Sequence, residues 1–116
     1  MFTNTVKVEW LPDDPRKMRL LEDVVFISDQ GVQFCALKGD IIDGASIPRF
    51  FWRLVGSPFV GKYRRATVLH DVYCENKIWG HKQIHKMFYD AMIDDGVSKT
   101  KAKIMYRAVK MFGPKW

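Results

Sequence analysis

Two cysteines are too few for a disulfide framework in a chain of 116 residues, and nothing else in the sequence suggests an oxidising compartment. Cys35 and Cys74 are therefore expected as buried, reduced thiols. Long apolar runs are missing as well: Val24-Val25-Phe26-Ile27, among the longest, falls far short of the ~20 residues that cross a bilayer. No basic segment precedes an apolar stretch and a small-residue cleavage site, so neither a membrane span nor a signal peptide is expected. Repeats, low-complexity tracts and linkers are absent. So are a phosphate-binding P-loop, a G-x-G-x-x-G fingerprint, a C-x-x-C pair and a His-Glu-x-x-His helix. The usual nucleotide, dithiol and zinc-protease readings therefore have no motif to stand on.

What is present suits one domain over residues 1–116, long enough to bury about two-thirds of its surface. With 47% hydrophobic and 28% charged residues the chain reads as globular, neither disordered nor fibrous. Nineteen Lys+Arg against 13 Asp+Glu leave a net +6, which permits an anionic partner without requiring one.

The chain divides by texture. Thr5-Val6-Lys7-Val8-Glu9-Trp10 alternates as a half-buried strand does, and Leu11-Pro12-Asp13-Asp14-Pro15 is a turn cluster. Residues 18–28 and 32–38 read as strands joined by a hairpin at Ser28-Asp29-Gln30-Gly31. Lys38-Gly39-Asp40 turns the chain again before Ile41-Ile42. Beyond about residue 45 the period becomes helical. Ser46 with Pro48 opens one helix; others are expected from about Gly61 to Cys74, from about Gly80 to Asp94, and from a Ser98 cap to Phe112. Strands followed by about four helices argue α+β, a small antiparallel sheet packed with a helical half.

Three constellations can carry chemistry. His70, His81 and His85 fall within sixteen residues, next to Asp71. His70 shares one side of its helix with Ala66, Thr67 and Cys74, so it points at the packed face, and Cys74 is close enough to touch it. There the thiol reads as inert rather than activated. His81 and His85, spaced i, i+4, can chelate one divalent metal such as zinc, with His70 or Asp71 completing the set. The plainer alternative is a hydrogen-bonded core histidine beside a solvated pair. Asp43 and Ser46 sit on the small-residue turn Asp43-Gly44-Ala45-Ser46-Ile47-Pro48. They either cap that turn and the following helix or present a base and an oxygen-binding helix end. Lys99, Lys103, Arg107 and Lys110 form a basic stripe opposite Ala102, Met105, Val109 and Phe112. It can track phosphates, but with no recognition motif beside it the solvated face of an amphipathic helix is the preferred reading. Trp10, Trp79 and Trp116 are expected as surface anchors.

The order of Asp43-Gly44-Ala45-Ser46-Ile47-Pro48, Gly61-Lys62-Tyr63 with Ala66, His70-Asp71 with Tyr73, Phe88 with Met92 and Gly96, and Met105-Tyr106 with Phe112-Gly113 resembles a phage protein family, domain of unknown function 1353. The resemblance covers roughly residues 36–116. It implies a bacteriophage or prophage origin, supplies no biochemical role, and singles out Asp43, Ser46, His70 and Asp71 as a shared site. The chain departs from the family pattern at His81 and His85, which stand where an Arg and an Asp are usual. His70-Asp71-Val72-Tyr73 is also shorter than the His-Asp-x-x-Tyr spacing of phospholipases A2, whose glycine-rich calcium loop is missing.

The leading expectation is a phage-encoded protein of the host cytoplasm or virion with a hydrolytic, metal-assisted site. His70 would be base or ligand, Asp71 or Asp43 its partner, and Ser46 the holder of substrate oxygen. Against it stands a non-enzymatic accessory protein, a virion component or a binder of a host factor, in which the same residues form a buried network. Nucleic-acid binding through the last helix stands behind both.

Overall fold

The computed structural model describes residues 1–2, 5–43 and 61–116. Strands β1 (Val8–Leu11), β2 (Asp14–Leu20) and β5 (Ile41–Ile42) form an antiparallel sheet in the order β1-β2-β5, while β3 (Val24–Ile27) and β4 (Gln33–Ala36) form a separate hairpin. Side-chain alternation fixes both registers. Met18 pairs with Ile42, both buried, and Arg19 with Ile41, both exposed; Phe26 pairs with Phe34, both buried.

Three expectations are corrected by the structure. The strand expected over residues 18–28 divides at Leu21–Asp23, because the chain must leave one sheet to begin the other. The break is held by Leu21 N–H on the Lys7 carbonyl and by Lys38 N–H on Asp23 Oδ1 at 2.7 Å. The expected single sheet is thus two. The turn cluster is also shorter than expected, since Asp14 already pairs with Leu11 across a bulge. Gly31 and Gly39, at φ 81° and 93°, supply the left-handed positions of the two later turns.

A short 3-10 turn, Gly61–Tyr63, leads into α1 (Arg64–Asn76); α2 (His81–Asp94) and α3 (Lys99–Phe112) follow. The described residues thus hold three α-helices rather than about four; the helix expected at Ser46 lies outside them. Ser98 caps α3, its Oγ accepting Lys101 N–H at 3.3 Å. Among the described residues no helix is long and apolar enough to cross a membrane.

Helix α1 departs most from its expected form. All nine residues from Ala66 to Cys74 are buried, with α2, β4 and β5 packed around them. A helix enclosed on most sides has no polar face, so Thr67, His70 and Asp71 enter the core and must be accommodated there. Tyr73 ties the helix to the hairpin, its hydroxyl oxygen accepting Cys35 N–H at 2.8 Å. Both cysteines are free thiols; Cys74 is buried, but Cys35 is only partly so.

Candidate metal centre

His70 from α1 and His85 from α2 meet in the interior, fully buried, with His70 Nε2 2.8 Å from His85 Nδ1. His85 Nε2 lies 3.0 Å from the Pro114 carbonyl oxygen, which can only accept, so that nitrogen carries a hydrogen. Burial pushes both imidazoles below their ordinary range; His85 further opposes the charging of His70, while at His85 the Pro114 carbonyl works against the depression and His81 and Lys115 add to it. In neutral His85 the remaining nitrogen, Nδ1, must accept. His70 therefore donates from Nε2 and keeps Nδ1 as an acceptor. Cys74 Sγ, one turn along α1, stands 3.8 Å from that Nδ1 and 3.6 Å from Nε2. Burial first, then Asp71 and Glu75, push the thiol up to about 12, so it stays protonated and inert as a free nucleophile. Phe88 packs against His70, ring centroids 4.6 Å apart and planes tilted by 33°.

His70, Cys74 and His85 each offer a ligand atom, and these atoms lie within 4.8 Å of one another. Tetrahedral zinc, with Zn–N near 2.0–2.1 Å and Zn–S near 2.3 Å, places nitrogen and sulfur ligands about 3.6 Å apart and two nitrogens about 3.4 Å apart. The Nε2–Sγ separation already fits. The Nε2–Nδ1 separation would have to open by about half an ångström as its hydrogen bond gives way to the ion. The Pro114 carbonyl on the outer nitrogen of His85 is the arrangement that orients a ligating imidazole.

Cys74 also lines a cleft of about 640 Å³ together with Asp40, Asp43, Asp71, Glu75 and Pro114, with Lys17 and Lys77 bordering it. Asp71 Oδ2 accepts the backbone N–H of Asp43 at 3.0 Å, joining α1 to the end of β5. Asp71 and Asp43 are thus neighbours on the cleft side, whereas His70, next to Asp71 in sequence, faces the interior. Ser46 lies outside the described residues.

His81 and His85 part company. His85 lies on the inward arc of α2 with Ile84 and Phe88, whereas His81 turns toward the chain's end. Its Nδ1 is 2.8 Å from the Trp116 backbone oxygen, and the Trp116 indole N–H donates to the Trp79 carbonyl at 2.7 Å. The two imidazoles are still neighbours, centroids 5.9 Å apart, but neither His81 nor Asp71 contributes to the three-atom cluster. Trp79 and Trp116 are half-buried parts of this closure rather than surface anchors; Trp10 is the exposed one, at 63%.

Sequence reasoning missed Cys74 as a donor and Pro114 as its partner's support. The i, i+4 spacing of His70 and Cys74 carried the first signal; no local pattern carries the second. It also passed over Thr67, whose fully buried hydroxyl has no hydrogen-bond partner among the described residues, one turn before His70. Lys99, Lys103, Arg107 and Lys110 are all exposed on α3.

Comparison with known proteins adds kinship without chemistry. The chain is 40% identical over 116 residues to "Uncharacterized protein y4jT" of Sinorhizobium fredii, with 99% of this chain and 34% of the relative aligned. It is 38% identical over 115 residues to "Uncharacterized protein y4iH" of the same organism, covering 99% of this chain and 48% of the relative. It therefore spans between a third and a half of these relatives' length. No solved structure matches. A family match runs over residues 18–109, from β2 through α3, and takes in His70, Cys74 and His85 together with the cleft residues Asp40, Asp43, Asp71 and Glu75. With that coverage, the chain belongs to the family described as Protein of unknown function (DUF1353).

Proposed function

We propose that the protein binds one divalent transition metal, zinc being the natural match, at His70, Cys74 and His85 and uses it for hydrolysis in the adjoining cleft. One observation carries this reading: two imidazole nitrogens and a thiol converge in a water-poor interior, and one of the three residues also lines a cleft rich in carboxylates. Two nitrogens and one sulfur suit zinc better than magnesium or calcium, which prefer oxygen. Three protein ligands leave a fourth position for water, and zinc lowers the pKa of such a water to about 7. In this reading Asp71 and Asp43, which line the cleft, receive a proton or orient a substrate. Ser46, three residues beyond Asp43 in sequence, keeps in this reading its role of holding substrate oxygen. A phage or prophage origin, with action in the host cytoplasm or the virion, belongs to the same reading.

A second reading is favoured by a different observation. The contacts from Cys74 through His70 and His85 to Pro114 already form a continuous chain linking α1, α2 and the C-terminal turn. In that case the network specifies the packing and the protein is an accessory factor.

Elemental analysis of untagged protein prepared without chelator, with a zinc titration alongside, separates the two. One zinc per chain is expected, lost in Cys74→Ser and His85→Ala. Cys74→Ser, the smaller change, keeps its helical circular dichroism. Wild-type protein that takes up no zinc overturns the metal centre and leaves the network. Zinc-loaded protein inactive on a panel of carboxylic and phosphoric esters would retain the centre and reject hydrolysis of those substrates.

A further inference from the structure

We infer that the exposed face of α3 is a binding surface for the phosphate backbone of double-stranded nucleic acid. The net charge of the chain is not spread over it. Residues 97–116 hold six of the 19 Lys+Arg and none of the 13 Asp+Glu, so this last segment carries the whole +6 and the remainder is neutral. Within it Lys99, Lys103, Arg107 and Lys110 are all exposed, while Ala102, Met105, Ala108 and Val109 on the opposite side are buried. At 100° per residue the four cations fall within about 80° of arc, and at 1.5 Å per residue they run along about 16 Å of helix. None of the four makes an ion pair among the described residues, although Lys110 rests over the Tyr106 ring at 5.4 Å. Lys99 borders a small cavity shared with Asp29, Asp90 and Asp94, so the outer three cations dominate the far end of the row.

Charge left uncompensated along one ridge matches a linear polyanion. A duplex carries one charge per ~1.7 Å of axis, and a protein that replaces its counterions gains affinity by releasing them. A membrane is the weaker fit: Ala102, Met105 and Val109 of the apolar stripe are committed to the core, and only its end, at Phe112 with Met111 beside it, is exposed, contrary to the inward position expected for Phe112. The ridge carries no feature that reads base edges, so recognition is independent of sequence.

The test is fluorescence anisotropy of the full chain with a labelled duplex of about 20 base pairs as salt rises. Four phosphate contacts imply a log–log slope of about −3.6, or roughly 150-fold weaker binding from about 50 to 200 mM salt. The double variant Lys103→Gln/Arg107→Gln, folded by circular dichroism because both side chains are exposed, is expected to halve that slope, leaving only about a 12-fold loss over the same range. Cys74→Ser is expected to bind the duplex as wild type does, which keeps this surface distinct from the metal centre. No binding at 50 mM salt, or an undiminished slope in the double variant, overturns the inference. So does binding to vesicles containing phosphatidylserine without binding to the duplex, which would assign the ridge to a membrane surface.

Discussion

Acid should destabilise the metal-free protein well before its carboxylates titrate, and the cause is the buried histidine pair. His70 and His85 are held neutral by burial, His70 well below the ordinary imidazole range. In the unfolded chain both titrate near about 6.5. Below that pH the unfolded state binds protons that the native state refuses. The contribution to stability is therefore complete above about 6.5 and is lost as the pH falls toward the native values. One such proton is worth about 1.4 kcal/mol per pH unit and two about 2.7. The Pro114 carbonyl partly offsets the depression at His85 by favouring its charged form, so the slope should lie between these limits. From about pH 6.5 to 5 one ring that stays neutral in the native state costs about 1.6 kcal/mol and two at most about 3.3 kcal/mol, because the unfolded imidazoles are only half charged at the upper limit. That is a sizeable share of the ~5–15 kcal/mol that separates native and unfolded states. Urea unfolding followed by tryptophan fluorescence, with chelator present, measures it at each pH. His85→Gln should reduce the slope to that of a single group, about 1.4 kcal/mol per pH unit. Stability that is flat or rising between these pH values would refute the neutral, buried assignment of both rings.

Two further outcomes test how the centre is held. A Cβ at Gly113 would lie 2.6 Å from the Val109 carbonyl oxygen, so Gly113→Ala must displace the turn that carries Pro114. It is expected to cost about 1–3 kcal/mol and to weaken zinc binding as well; an unchanged melting temperature would show that the turn is not fixed by this contact. Tyr73→Phe removes the acceptor of Cys35 N–H and should cost about 1 kcal/mol in chemical denaturation, with zinc stoichiometry unchanged. A loss of zinc in that variant would mean that the hairpin positions the centre.

Much of the helical half was legible because local rules decide it. Ser98 precedes α3 and caps it, Gly96 follows α2 with φ 87°, and the apolar period placed Met105 and Val109 inward. The strand boundaries were less legible, since the break at Leu21–Asp23 depends on partners at Lys7 and Lys38 that no window of neighbouring residues contains. For the site, the i, i+4 relation of His70 and Cys74 could be read directly, and so could the adjacency of His70 and Asp71. The same spacing in His81 and His85 suggested a chelating pair. Tertiary packing divided it, because His85 lies on the arc that meets α1 while His81 begins the helix and meets Trp116. The Pro114 carbonyl on His85 and the Asp43 backbone on Asp71 join residues 29 and 28 positions apart, beyond the reach of any periodicity. The tautomers follow only from those long-range bonds.

The most direct test of the metal centre is X-ray absorption at the zinc edge of protein loaded with one equivalent of zinc. The geometry requires a shell with one sulfur near 2.3 Å and two imidazole nitrogens near 2.0–2.1 Å, the sulfur vanishing in Cys74→Ser. A shell of nitrogen and oxygen alone in the wild type would contradict a centre built from His70, Cys74 and His85.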